Sequence, residues 1–537
     1  MSQQANPSHP PPAAEERARW IRTLLLALLA ALLVKCAWVC DDAYITFRVI
    51  DNWIGGHGLR WNVAERVQAY TNPLWMLLVA LPYTLTREPF YTSLALSLVL
   101  SLWSARCLAW RVASTPALGA LVLLFLCASK CFVDFSTSGL ENALSHALAV
   151  GTLLVYASPA APQRRAWIVA FGASLAAINR LDSLALYAPL LAEIALVHRS
   201  RRVLANIALG CAPLVAWELV SLVYYGFLLP NTAYAKLGTA LPAGELALQG
   251  LRYLENSLRN DPLTLPVIAA GLFLAFLRRD SRSTALGLGL VLQLSYVVRV
   301  GGDFMSGRFL SLPFVVALFV IASQSLSKRT LLLARVAAVA AMALVPFGPL
   351  RAPLAYQLDT PSSQHFDANG IADERAATDD VGGLWSSFRA PREGLAMHVT
   401  RGNEGAERAR AEGAKLKLAP NLGYFGFHAG PGLHIVDPIG LADPLLARMP
   451  IWADGQLLAR DEDNPERLPW RIGHFKRPLP QGYLRCLRDP STRLADPALA
   501  AFKDELDLIT RGPLWSSERW RLILAHLGGK RAPRPTP

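Results

Sequence analysis

The chain is short of charge. Asp, Glu, Lys and Arg make up 17% of its 537 residues, against about a quarter in an ordinary soluble domain. With 53% hydrophobic residues and a mean hydropathy of +0.29, that deficit excludes a fully soluble protein. Collagen-like, coiled-coil and disordered classes are excluded on the same ground. Cysteine is equally sparse. Six of the seven (Cys36, Cys40, Cys107, Cys127, Cys131, Cys211) lie in or beside apolar segments. Cys486 stands alone in the polar C-terminal part, which therefore cannot close an internal disulfide. No CxxC and no Cys/His cluster occurs, so a structural zinc site is not expected. Internal repeats are also lacking.

What charge there is lies unevenly. Residues 350–537 hold 25 Lys and Arg against 23 Asp and Glu, close to neutral. The remaining 28 basic and 17 acidic residues lie in 1–349. The pI near 9.6 thus belongs to the apolar part, where it fits loop anchoring at a membrane rather than nucleic-acid binding.

Residues 1–19 read as a disordered cytoplasmic tail. Arg17, Arg19 and Arg22 then flank an apolar run from Ile21 to Val39, the length a bilayer core needs. It is long for a signal peptide and no small-x-small cleavage site follows, so it reads as a retained first helix. Further apolar runs lie near 90–110, 115–132, 140–157, 166–183, 184–197, 203–226, 263–277, 283–299, 308–326 and 332–349. Basic clusters at Arg106/Arg111, Arg164/Arg165, Arg201/Arg202, Arg278/Arg279/Arg282 and Lys328/Arg329 fall in alternate gaps, which places those gaps inside. The segment 72–85 is apolar but short, with a proline near each end. Counting it as a span would invert every later loop, so it reads as a juxtamembrane or re-entrant helix. The expected fold is a polytopic α-helical membrane bundle of about eleven spans (20–349), with a first outer loop at 41–89. Residues 350–537 are expected to form an extracytoplasmic α/β domain. Strand-like pieces there are Leu433–Val436 and Tyr483–Leu487, and helical ones are Gly405–Ala414 and Pro497–Ile509.

Polar residues gather in the outer gaps. The first begins Asp41-Asp42-Ala43-Tyr44-Ile45-Thr46-Phe47-Arg48 and runs to Tyr70-Thr71-Asn72-Pro73. Adjacent carboxylates directly after a span need water, a cation or a reaction to serve. Ser136–Asn142 holds hydroxyls and Glu141, and Asn179–Asp182 holds Arg180 and Asp182. Asn231 and Lys236 lie in Pro230–Lys236, and Asp303 and Arg308 in Gly301–Arg308. Taken singly, helix capping, neutralised ion pairs and snorkelling explain each. Together they describe a pocket for an anionic ligand. Cations would bind a phosphate and a carboxylate would act as base.

The stretch Asp41–Arg48, then Gly56-His57-Gly58-Leu59 with Trp61-Asn62, then Tyr70-Thr71-Asn72-Pro73-Leu74-Trp75, resembles the first outer loop of C-type (GT-C) integral-membrane glycosyltransferases. It is most similar to the terminal β-(1→2)-arabinofuranosyltransferases of mycobacteria and corynebacteria and their bacterial relatives. The likeness continues through Thr137–Glu141, Arg180–Asp182, Pro230–Lys236, Gly301–Met305, Asp437–Asp443 and Gly473–Pro478. It implies a bacterial inner-membrane enzyme of the cell envelope. Its donor would be a polyprenyl-phosphate sugar and its acceptor a glycan or lipid outside the cytoplasm. The family's essential aspartate maps to Asp41 or Asp42. Lys236, Arg308 and Arg180 would stabilise the departing phosphate, with Arg48, Tyr70, Asn72, Glu141, Asp182, Asn231 and Asp303 lining the same cavity. A divalent cation could bridge the Asp pair and the phosphate, although no spacing demands one. The rival readings are a transporter or flippase of lipid-linked sugars and a non-catalytic envelope-assembly protein. The soluble tail is expected to cover the cavity without catalysing, and its run Asn421–His428 to meet the acceptor's sugar faces.

Overall fold

The structure is a computed structural model. It describes residues 12–325, 327–344, 366–389, 405–419, 422–453, 456–457, 472–489, 491–528, 530 and 533. Helices dominate because long leucine- and alanine-rich runs alternate with proline and serine punctuation. Proline stands in the first turn of Pro73–Thr86, Pro89–Cys107, Pro116–Ala128 and Pro162–Asn179, where its missing N–H costs nothing. Every apolar run read from the sequence lies on a helix, as far as the described residues extend.

The spans are shorter than the runs suggested. Among the described residues two helices, Pro89–Val112 and Leu181–His198, are long and apolar enough to cross a bilayer. The bent pairs Arg201–Gly210 with Ala212–Tyr224 (43°) and Ala243–Asn260 with Thr264–Leu277 (110°) raise that to four if each is one span. Others, such as Pro116–Ala128 and Asn142–Ala157, have 13 and 16 residues. At 1.5 Å per residue that is roughly 20–24 Å, against about 30 Å of hydrocarbon. Hydroxyl caps and polar loops, such as Ser129 at the start of Lys130–Phe135, end these helices early. Segment 72–85 is the 14-residue helix Pro73–Thr86, with Leu81 and Leu85 exposed.

One end of the bundle carries the first loop and the C-terminal part, and they share a core. Tyr44, Trp61 and Trp75 pack in one cluster with Tyr424, Leu433 and Ile435. Residues 366–389 form a strap stitched to the bundle by backbone hydrogen bonds. Val39 N–H donates to Gly382 O (2.8 Å), Leu384 N–H to Ala37 O (2.8 Å) and Ala372 N–H to Phe304 O (2.7 Å).

The C-terminal part holds little sheet. Leu416–Leu418 pairs in parallel with His434–Val436, and Trp452–Ala453 pairs with Gln456–Leu457. Helices cover 405–411 and Pro497–Arg511, close to the expected pieces. Tyr483–Leu487 is a helix, Tyr483–Arg488, and not a strand. Gly482 at φ +85° starts it, and Tyr483 and Cys486, three apart, bury one face while Arg485 and Arg488 stay outside. That is a helical period.

Two buried residues clamp this part to the helix Asn231–Leu237. Asn231 Nδ2 donates to the carbonyls of Gly440 (2.9 Å), Leu441 (3.1 Å) and Asp443 (3.0 Å). Arg477 spends its guanidinium on the carbonyls of Ile439, Phe475, Met449 and Ala235. The Asp443 carboxylate orders the same loop, accepting from Leu445 N–H (3.0 Å), Leu446 N–H (2.9 Å) and the Tyr483 hydroxyl (2.7 Å). Burial, and then the Glu65 carboxylate, push Asp443 up to about 7.

A raised carboxyl pKa stabilises the fold below the unfolded value, near 4, and that stability is lost as pH rises through 7. Asp443→Asn keeps the Oδ1 acceptor and removes the charge. Its melting temperature relative to wild type should therefore rise between pH 5 and pH 8 in a thermal unfolding series. A difference that stays flat across that range would show that Asp443 is not held protonated by burial.

Candidate functional site

Glu141 sits at the centre of the polar cluster. It immediately precedes the helix Asn142–Ala157 and is fully buried. Its Oε1 accepts from Arg180 Nη1 (2.9 Å) and Arg308 Nη2 (3.2 Å), and its Oε2 accepts from Asn72 Nδ2 (2.9 Å). Asn72 in turn accepts from the Thr46 hydroxyl (3.2 Å). Three sequence-distant outer segments therefore meet on one carboxylate. Removing one partner of such a buried pair typically costs about 3–5 kcal/mol, because the other charge is left without compensation.

The two arginines are held on their other sides as well. Arg180 forks onto Asp182 through Nε and Nη2 (both 3.0 Å) and lies 4.6 Å over the Phe309 ring. Arg308 Nη1 donates to Asp303 (3.4 Å) and lies 4.0 Å from Asp42. The turn that carries Asp303 and Arg308 depends on glycine. Gly302 has φ +74°, and a Cβ there would fall 2.4 Å from the Tyr253 ring.

The adjacent aspartates have different partners. Asp41 accepts from Gly423 N–H (3.1 Å) and Tyr424 N–H (2.8 Å), at the start of the helix Gly423–Ala429. Gly423 sits so close that a Cβ would clash with the Asp41 carbonyl at 1.8 Å. Burial raises the Asp41 carboxyl to about 6 despite those two hydrogen bonds. Asp42 faces the Arg308 side, with 26% of its side chain exposed. Among the described residues no three His, Cys, Asp or Glu side chains converge to hold a metal ion.

Thus Asp42, Asn72, Glu141, Arg180, Asp182, Asp303 and Arg308 come together. Four of the seven are carboxylates and two are guanidinium groups. Lys236 stands at a neighbouring corner. A Cβ added at Gly473 would lie 3.6 Å from its Nζ and 3.4 Å from the Phe304 ring, next to Asp303. Among the described residues no carboxylate lies within salt-bridge distance of Lys236, which is half-buried.

Arg48, Tyr70 and Asn231 lie outside this cluster. Arg48 is buried over Trp61 (4.5 Å) and donates to the carbonyls of Trp61 (2.7 Å), Gly426 and Leu433 (3.0 Å). Tyr70 pairs hydroxyl to hydroxyl with Tyr225 (2.9 Å). Asn231 is the loop clamp described above. The aromatic run packs inward, with Tyr424 and Phe427 ring centroids 4.6 and 5.4 Å from that of Tyr44. Asn421 lies outside the described residues.

Sequence reading missed a second buried network. Lys130 bonds Asp134 and Asp373 (2.9 Å), and Arg375 Nε lies 3.2 Å from Asp134. It ties the 366–389 strap beneath Trp38, whose Nε1 donates to the Asp134 carbonyl (2.7 Å). Its only local signal is the four-residue spacing of Lys130 and Asp134. Glu65, bridged to Arg511 (3.0 Å) and 3.9 Å from His434, was equally unmarked.

No family model matches the chain. Two curated proteins named terminal β-(1→2)-arabinofuranosyltransferase do. The one from Mycobacterium tuberculosis is 32% identical over 51% of this chain and 51% of its own. The one from Corynebacterium glutamicum is 29% identical over 55% and 49%. The chain spans about half the length of these relatives. The crystal structure of ArnT from Cupriavidus metallidurans in the apo state superposes with a TM-score of 0.50 at 16% identity, covering 80% of this chain and 87% of that one. The chain therefore has an ArnT-like fold, and in sequence it is similar to terminal β-(1→2)-arabinofuranosyltransferases.

Proposed function

We propose that the chain is a membrane glycosyltransferase. It would move a sugar, arabinofuranose by likeness to its relatives, from a polyprenyl-phosphate donor to a glycan or lipid acceptor outside the cytoplasm. The observation that carries this reading is Asp42. It is a partly open carboxylate 4.0 Å from Arg308, at the edge of a buried cluster in which carboxylates outnumber cations.

The charge balance divides the labour. Arg180 and Arg308 are committed to buried carboxylates, so a phosphate gains little by approaching them. Lys236 has no such commitment among the described residues and takes the donor phosphate. Asp42 accepts the acceptor hydroxyl's proton as the oxygen bonds to the anomeric carbon. The bond from that carbon to the phosphate oxygen breaks, and polyprenyl phosphate leaves against Lys236. Glycosyl transfer passes through an oxocarbenium-like state, and the anionic excess of Asp42, Glu141 and Asp303 stabilises that positive charge. Exposed apolar faces of the bundle receive the prenyl chain.

The same reading sets the orientation. The bundle has eleven spans in the inner membrane, with the N-terminus cytoplasmic and residues 350–537 outside, because the basic clusters fall in alternate gaps. Reporters fused after Arg282 and after Leu350 should then mark opposite sides of the membrane. The same side for both rules out the eleven-span orientation.

Asp42→Asn should lower transfer by at least about 100-fold, the scale of a lost general base. Asp41→Asn should retain transfer within a few-fold and lower the melting temperature, since Asp41 fastens Gly423 and Tyr424. A glycan transfer assay on both variants checks the assignment. Full activity in Asp42→Asn, or loss confined to Asp41→Asn, would overturn it.

A further inference from the structure

The last described helix, Ser517–Leu527, lies against the outer end of a bundle helix. Arg519 is fully buried and ties three segments at once. It donates from Nε to Ile509 O (2.8 Å), from Nη1 to Leu514 O (3.0 Å) and from Nη2 to Tyr224 O (3.2 Å). Tyr224 is the last residue of the helix Ala212–Tyr224. Just beyond it, a Cβ at Gly226 would fall 2.3 Å from Ile509 Cγ2. The turn carrying Trp515 is thereby fixed within a few ångströms of the point where that helix ends.

The surface around this joint is apolar and is left exposed by the described residues. Val215, Leu219 and Val220 on the bundle helix are about half exposed. Leu228 follows the helix, and Trp515 (74% exposed), Leu524 (64%) and Leu527 continue the patch on the C-terminal element. Trp515 stacks with Trp520, with centroids 6.4 Å apart and planes at 22°. Exposed Arg521 borders it. Arg519 is spent inside the joint and Lys530 pairs with Glu505 (2.5 Å), so Arg521 is the exposed cation on this helix among the described residues.

We propose that this C-terminal helix is a membrane-surface anchor. Trp515 and Leu524 would sit among the outer-leaflet headgroups, and Arg521 would favour anionic phospholipid. Two observations argue for lipid as the occupant. Arg519 joins the Trp515 turn to the end of the helix Ala212–Tyr224, so exposed apolar side chains stand on both sides of that joint, and exposed Arg521 beside Leu524 offers a cation to an anionic surface. Tryptophan belongs at that depth because its ring is apolar and its N–H needs water. Basic side chains beside an apolar helix face add electrostatic attraction to acidic lipid. The anchor would hold the C-terminal part level with the membrane. This inference rests on the proposed membrane reading of the bundle.

The test uses the full chain in vesicles of phosphatidylcholine, with or without phosphatidylglycerol, brominated near the headgroup end of the acyl chains. Emission lost in Trp515→Phe isolates the Trp515 signal among the 14 tryptophans. Trp103→Phe isolates a bundle tryptophan, 43% exposed on Pro89–Val112, as a check on insertion. Bromine should quench the Trp515 signal, more strongly with phosphatidylglycerol present, and Arg521→Glu should remove that preference. If Trp103 is quenched while Trp515 responds only to aqueous iodide, the anchor is wrong and the membrane reading stands. A Trp515 signal shielded from both quenchers means protein covers the patch, and it overturns the proposal. Equal quenching in neutral and anionic vesicles does the same. If bromine quenches neither tryptophan, the membrane reading fails and the anchor fails with it.

Discussion

One end of this molecule is organised around a carboxylate that water does not reach. Glu141 holds a full charge in a buried position only because Arg180, Arg308 and Asn72 converge on it. Each of those residues arrives from a different gap between helices. Burying an uncompensated carboxylate costs far more than a hydrogen bond returns, so the gaps cannot drift apart independently. The constraint reaches outward through Asn72 to Thr46 on the helix that begins with the aspartate pair. It also reaches through Arg308 to Asp303 and Asp42. The catalytic proposal depends on that coupling, because Asp42 inherits its place from a charge it does not touch.

Arginine has a second use here, as a fastener of backbone. Arg48, Arg66, Arg477 and Arg519 all spend their guanidinium groups on carbonyl oxygens of distant segments. A planar fork with five donors suits that role, and a lysine ammonium does not. The result is a C-terminal part with little sheet of its own that is nonetheless fixed to the bundle. Lys236 differs from those arginines in having neither a carboxylate nor a carbonyl partner among the described residues.

The sequence made the bundle and the site's membership readable, because periodic apolar runs and clustered polar gaps are local signals. Glu141, Arg180, Asp182, Asp303 and Arg308 could be nominated from their gaps alone. What joins them could not. Arg48 looked like a cavity residue because it follows the aspartate pair, yet its Gly426 and Leu433 partners lie 378 and 385 positions away. Tyr70 and Asn231 were drawn in by their motifs, and the structure gives them hydroxyl and carbonyl partners instead. The aromatic run after Leu422 suited a sugar face by composition, but Tyr44 supplies the face that Tyr424 and Phe427 meet. Tyr483–Leu487 looks strand-like in sequence, but its i, i+3 burial makes it part of the helix Tyr483–Arg488. Span length was overread because hydropathy does not register the serine and proline caps that end helices early.

The central claim is the separation of roles between Lys236, which takes the phosphate, and Asp42, which faces the sugar. An experimental structure with a non-hydrolysable polyprenyl-phosphate sugar tests it most directly. The account expects the phosphate within hydrogen-bond distance of the Lys236 ammonium, with the anomeric carbon turned toward Asp42. A phosphate seated on Arg180, or a sugar turned away from Asp42, would contradict it.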